Sequence, residues 1–276
     1  MTRRALAWAV ILVGAPVLLY GPQATRADIM GFNSLTGWQY NQADNLPPAS
    51  FDPPPDRLHI LSTYATPVAL ASRNIFYTVR QPIVRFNASI TLEAMGLTTN
   101  FGCGSALVLQ TNSPTVFGGG DYGYLGIPHS IALGFDHRWS GSGSPGTGWL
   151  TLYKNGSKLG SSGVGFSYFE LISGHPTEIA ISYDGEWIRE QVTDTITHYG
   201  GFAGAWLPNL ANFIGSQEAF VGFTAGSYGC APYPASDYLS RFQFHGQLPE
   251  PATLGLMAAS GLAIARQKRR RTDPRK

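Results

Sequence analysis

A chain of 276 residues can bury a sizeable core in one domain of β-sandwich size. Charged residues make up only 13%, aromatics 12%, with 33 Gly and 19 Pro, which excludes a coiled coil, a helical bundle and a disordered chain. Positions 28–248 hold nine basic and 15 acidic residues, a net charge of −6 without the basic stripes of a nucleic-acid binder; the other ten Lys and Arg sit at the two ends.

Residues 1–27 read as a secretory signal peptide. Arg3 and Arg4 form a positive start, Ala5 to Tyr20 an apolar stretch broken by Gly14 and Pro16, and Thr25-Arg26-Ala27 a small-residue cleavage site. The body, 28–246, reads as strands throughout. Pro47 to Pro55 is expected to be a surface loop. Strand-forming runs follow at Leu58–Thr63, Asn74–Tyr77, Ile83–Leu92, Ala106–Gln110, Ile131–Asp136, Trp149–Lys154, Glu178–Tyr183, Trp187–Val192, Phe220–Ala225 and Tyr238–Phe244. Val84, Phe86, Ala88, Ile90 and Leu92 alternate onto one face, as do Ile179, Ile181 and Tyr183. Turn signals separate the runs: Asn155-Gly156, Asp184-Gly185, and the Gly/Ser/Pro stretch from Ser140 to Gly148. Ten to twelve strands without a helical period predict an all-β antiparallel sandwich.

The tail, 249–276, has its own pattern. Pro249, Glu250 and Pro251 open it, an apolar segment from Ala252 to Ala265 follows, and Arg266, Lys268, Arg269, Arg270 and Arg271 close it. A short apolar segment before a basic cluster is a stop-transfer pattern whose positive end stays cytoplasmic. Fourteen apolar residues are marginal for a permanent span and suit transient inner-membrane insertion. The order resembles the PEP-CTERM sorting signal. That resemblance implies export through the Sec pathway of a Gram-negative bacterium, processing by an exosortase-type enzyme, and a destination at the cell surface or in the extracellular matrix.

The body also carries motifs in a telling order. Gly104–Gln110 (GSALVLQ), Gly118–Gly120, Tyr124–Asp136 (YLGIPHSIALGFD), Ile179–Gly185 (IAISYDG), Val221–Ala225 (VGFTA) and Tyr238–Phe244 (YLSRFQF) together resemble the L-type, or legume-type, lectins of the concanavalin A-like jelly-roll fold. Leu58–Ser62 and Ala71–Tyr77 fit the opening strands of that family. The resemblance implies a carbohydrate-binding, non-catalytic domain for a polysaccharide or glycoconjugate. In the family, an Asp and a Gly-rich loop hold the sugar in a shallow cup, and Ca²⁺ and Mn²⁺ hold the loops.

Transferred onto this chain, the cup is incomplete. Cys103 stands where the sugar-binding Asp is expected. Gly118, Gly119 and Gly120 keep the Gly-rich loop, with Asp121 as a replacement acceptor and Tyr122 and Asp136 as further polar contributors. The metal strand keeps only Asp136: its Glu is Gly134, its Asn is Ser140, and the next Asp is absent. Hard cations want several oxygen ligands, so no cofactor is expected, or at most one weak Ca²⁺ on Asp136, Asp121 and carbonyls. The resemblance also pairs Cys103 with Cys230 as a disulfide that ties the cup loops where metals tie them in relatives.

Other features point elsewhere. Gly118, Gly120 and Gly123 match a dinucleotide fingerprint but lack a βαβ setting. Glu186 and Glu190, four apart, are expected on one strand face as two solvated carboxylates, without the Glu-x-Asp-x-x-Glu pattern of concanavalin-fold glycosidases. Trp139, Trp149, Trp187 and Trp206 are candidates for a glycan surface. Three function classes stand: an exported lectin-like binder, a structural matrix protein with a degenerate sugar site, and, least supported, a glycoside hydrolase.

Overall fold

The computed structural model describes residues 28–32, 36–42, 50–52, 57–62, 72–95, 103–119, 121–136, 147–148, 150–158, 169–170, 174–227 and 236–248. The early strands are β1 (Ile29–Met30), β2 (Trp38–Gln42), β3 (Ser50–Asp52), β4 (Arg57–Ser62), β5 (Ser72–Tyr77) and β6 (Gln81–Pro82). Next come β7 (Arg85–Met95), β8 (Cys103–Gln110), β9 (Ser130–Asp136), β10 (Thr147–Gly148), β11 (Leu150–Lys154) and β12 (Ser157–Lys158). The last are β13 (Phe169–Glu170), β14 (Pro176–Tyr183), β15 (Trp187–Asp194), β16 (Gly200–Trp206), β17 (Glu218–Ser227) and β18 (Ser236–Gln247). One short helix, α1 (Leu210–Ile214), leads into β17. No helix among the described residues is long and apolar enough to cross a membrane.

All pairings among these strands are antiparallel, in two large sheets. The back sheet runs β16-β15-β14-β7-β18-β4-β3, with β1 added on β18; the front sheet runs β12-β11-β9-β8-β17-β5-β2, with β6 on β17. Strands β10 and β13 pair separately. The expected antiparallel sandwich is therefore the observed fold.

The two sheets bury different surfaces, and the sequence differs accordingly. In the back sheet β7 and β14 alternate buried and exposed residues: Phe86, Ala88, Ile90 and Ile179, Ile181, Tyr183 point into the sandwich while the other face meets solvent. The front sheet is covered on both sides. Leu107, Leu109, Leu133, Phe135, Val221 and Phe223 face the main core, while Phe76, Ala106, Val108 and Ala132 face a second cluster with Tyr122, Tyr124, Ile127 and Tyr153. Burial on both faces explains why GSALVLQ reads as a continuous run rather than an alternation.

All ten expected strand runs are present, with boundaries shifted by a few residues. The Pro47–Pro55 loop is corrected at its centre, where Ser50–Asp52 pairs with Arg57–His59. Both expected hairpin tips form. Asn155 and Gly156 take φ of 47° and 74°, the left-handed pair that a two-residue turn needs to match strand twist. At the other tip the Asp184 carboxylate accepts N–H bonds from Glu186 and Trp187 at 3.0 and 2.8 Å.

Candidate functional site

The second cluster forms because a long loop folds back over the outer side of the front sheet. Residues 111–129, between β8 and β9, are fastened by buried polar contacts. Asn41 Nδ2 donates to the Pro114 carbonyl (2.8 Å), Asn74 Nδ2 to Val116 (3.3 Å) and Ser72 Oγ to Gly118 (3.1 Å). The Tyr124 hydroxyl meets Ser130 Oγ at 2.7 Å, and Ser130 Oγ donates onward to the Ile127 carbonyl at 2.5 Å. Burial holds the Tyr124 phenol above its ordinary pKa, against the bonds from Ser130 and Gly156. This loop is fixed by the fold, which is what a preorganised binding loop requires.

Register places the expected loops at one end of the front sheet. Asp136 pairs with Gly104, Gly104 with Gly226, and Gly226 with Ser72, the residue that holds Gly118. Cys103 pairs with Ser227 in the adjoining position. The backbones of Cys103, Gly118 and Asp136 thus share one sheet end. Asp121, Tyr122 and Gly123 form a single helical turn beside it, which packs on β17.

Individual roles are less uniform than the sequence suggests. Gly119 exchanges both backbone bonds with Leu125, N–H to C=O at 2.9 and 2.8 Å, so its amide is engaged within the chain. Tyr122 takes a left-handed φ of 52° and is 4% exposed, its ring packed into the second cluster. The ring lies over two glycines. A Cβ at Gly104 would collide first with the Phe135 carbonyl oxygen and then fall 2.9 Å from Tyr122, and one at Gly134 would fall 3.2 Å from both Tyr122 and Tyr153. Those two rings meet edge to face, centroids 5.7 Å apart. Gly120, Cys230 and the side chains of Cys103, Asp121 and Asp136 lie outside the described residues, so the expected disulfide and the acid contacts fall there too.

The two-metal arrangement of L-type lectins does not fit this chain. Gly134 brings no carboxylate, and the space above it holds two tyrosine rings. Among the described residues no three His, Cys, Asp or Glu side chains gather as a metal centre. Ser140, like Trp139 and Trp149, lies outside the described residues.

The expected pair of solvated carboxylates is also corrected. Glu186 precedes β15 in the exposed hairpin bend, whereas Glu190 points into the sandwich between Ile188 and Val192, 3% exposed. Its partners in register are Ile181 and Ala203, and one carboxyl oxygen has no hydrogen-bond partner. Burial pushes the Glu190 pKa well above the carboxylate range. Spacing of four fixes a shared face only if both residues lie in the strand, and Glu186 does not. The two acids therefore do not form a paired general acid and base. A cleft of about 560 Å³ opens at this hairpin, lined by Val84, Arg85, Tyr183, Asp184, Glu186 and Asn209 among others. Sequence reasoning did not find it, because α1 and its capping by Tyr183 leave no pattern.

Solved structures supply the comparison. A seed lectin isoform of Lotus tetragonolobus superposes with a TM-score of 0.61 at 14% identity, covering 80% of this chain and 97% of its own. The fold is that of the legume lectins. A Bauhinia forficata lectin in complex with GalNAc gives 0.59 at 14% identity, covering 79% and 96%. Ulex europaeus lectin I, in complex with the methyl glycoside of α-L-fucose, gives 0.59 at 14%, covering 79% and 97%. No protein-family model and no curated protein sequence matches the chain. At such identities the lectin likeness establishes the fold alone.

Proposed function

We propose that this is an exported, non-catalytic carbohydrate-binding protein, with its sugar site at the front-sheet end that carries Gly118, Asp121 and Asp136. The observation that carries the reading is the fastened loop: Ser72, Asn74 and Asn41 fix residues 114–118 at that sheet end. Preorganised loops with convergent polar groups suit sugar hydroxyls. Lectins of the same fold have been solved with GalNAc and with a fucose glycoside. In this reading Asp121 replaces the acceptor lost at Cys103, Asp136 and the Gly118 and Gly120 backbone add polar contacts, and a Cys103–Cys230 disulfide holds the loops in place of metal ions. A polysaccharide or glycoconjugate is the partner.

The ends complete the proposal. Residues 1–27 direct export, and the PEP-CTERM-like tail beginning at Pro249-Glu250-Pro251 pauses in the inner membrane before an exosortase-type enzyme removes it. The destination is the cell surface or matrix of a Gram-negative bacterium. Replacing Asp121 with Ala is expected to weaken oligosaccharide binding by about 1–3 kcal/mol, the range for leaving a buried polar partner unpaired. Titration calorimetry checks this, and an unchanged affinity removes Asp121 from the site.

A second reading is a structural matrix protein on the same fold. The departures at Cys103 and Gly134 favour it, because both replace carboxylates that the family uses. Absence of any saccharide binding by the folded protein would select it.

A further inference from the structure

The outer face of the back sheet breaks the usual division between the two faces of a half-buried sheet. Strand β16 places Ala203 inward and points Phe202 and Trp206 to solvent, 78% and 65% exposed, with Gly204 between them. Trp187 on β15, 42% exposed, is the direct cross-strand partner of Trp206, and Tyr199 stands 74% exposed just before β16. Contiguous exposed aromatics on a soluble domain mark a contact surface. They sit at one edge of a broad polar field, at the β16 edge of the sheet.

The register defines that field. One row across the sheet reads Phe202, Gln191, Ala180, Ser89, Gln243; the next reads Gly204, Arg189, Ser182, Asn87, His245. Gln191, Ser89, Gln243, Ser182 and Asn87 make no side-chain hydrogen bond to other described residues. By strand alternation these amides and hydroxyls lie on the outer face, Asn87, Gln191 and Gln243 exposed and Ser89 and Ser182 partly so. The charges are mostly matched: Arg189 with Asp184 at 2.6 Å, His245 with Asp28 at 3.0 Å, and Arg241 with Glu178 at 4.0 Å. Arg85 and Glu186 balance in number at the hairpin end. The face therefore presents flat apolar rings beside uncharged hydrogen-bonding groups, with little net field to attract a polyanion or an anionic membrane.

We propose that this outer face is a second carbohydrate-binding surface, a platform for an uncharged, extended polysaccharide. A pyranose ring has an apolar C–H face and a rim of hydroxyls. Trp206, Trp187 and Phe202 receive the first by stacking, while Gln191, Ser182, Asn87 and Ser89 pair with the second. Phe202 and Trp206, four residues apart on one strand, stand roughly 13 Å apart along it, longer than one sugar ring. An open sheet face does not enclose a monosaccharide, so its affinity must accumulate over successive residues of a polymer. The surface belongs to the back sheet and does not rest on the front-sheet site.

The test is retention of the secreted protein on a panel of insoluble uncharged polysaccharides: cellulose, chitin, β-1,3-glucan, xylan and mannan. Retention by at least one is expected, with W206A and F202A each weakening it about tenfold and T195A, away from both surfaces, leaving it unchanged. These side chains are solvent-exposed, so far-UV circular dichroism and the thermal midpoint should stay at wild-type values. The proposal is overturned if no polysaccharide retains the wild type, or if W206A and F202A bind as well as it does. It is also overturned if sedimentation velocity shows a dimer that W206A dissociates, or if anionic vesicles capture the protein through the same residues. Loss of polysaccharide retention in W206A and F202A, with soluble oligosaccharide binding at wild-type affinity, separates this surface from the front-sheet site.

Discussion

Glu190 carries an acid into the apolar layer between the sheets, and its protonation couples to folding. With its native pKa raised by burial, the folded chain holds a proton that the unfolded chain releases above the ordinary Glu range. Stability from this group is therefore full below that range and falls as pH rises toward the native pKa. The unfolding free energy from urea titrations should decline with pH through this window, by up to about 1.4 kcal/mol per pH unit. The variant E190Q should flatten that slope; an unchanged slope assigns it elsewhere. Asp194 acts in the opposite direction. Burial opposes its charge, but N–H bonds from Thr197 and Ile196 and the His175 ring at 2.8 Å outweigh it and lower the pKa. Its contribution is present above the ordinary Asp range and lost as pH falls through the native pKa, so D194N should lose the acid-side dependence.

Tyr183 shows how a single hydroxyl organises the cleft end. It accepts the Leu210 N–H at 2.9 Å and lies 2.8 and 2.9 Å from the Gly185 and Leu207 carbonyls, donating to one of them. It thereby ties the β14–β15 hairpin to the start of α1. Y183F leaves a buried N–H and a carbonyl without this partner, and about 1–3 kcal/mol should be lost in chemical denaturation.

Strands and loops were legible in proportion to their pattern. The back-sheet runs announced themselves by alternation, and the front-sheet runs by length and β-branched content. Strand β16 did not, because GGFAGAW puts its aromatics outside and small residues inside, the reverse of a usual pattern. Pairs of two or three residues, such as β1, β6 and β12, exist through tertiary pairing and carry no period of their own. In the candidate site, sequence grouped Gly118, Asp121 and Asp136 through the family resemblance; the register puts the backbone of Asp136 and the Ser72 that holds Gly118 at the same end of the front sheet. Sequence reasoning missed the burial of Tyr122, since nothing local reveals that Gly104 and Gly134 make room for a ring. G134A tests this packing element. Its Cβ enters at 3.2 Å from two rings, and overpacking should cost about 1–3 kcal/mol in thermal or urea unfolding. Full stability in G134A would mean the rings are free to move aside.

At the scale of the whole molecule, charge divides the chain into an acidic body and basic ends. Basic residues resist translocation, so the tail cluster should remain behind while the body is exported. Mass spectrometry of secreted protein is expected to find no peptide containing Arg269; its presence would contradict the proposed sorting. In the proposed reading the sandwich offers sugars a loop-built end on the front sheet and an open face on the back. The proposed function requires this fold to bind carbohydrate without the family's metals. A glycan array probed with the secreted protein, with and without EDTA, is the decisive test. Selective binding that survives EDTA is the predicted result, and an array without any bound glycan would contradict it.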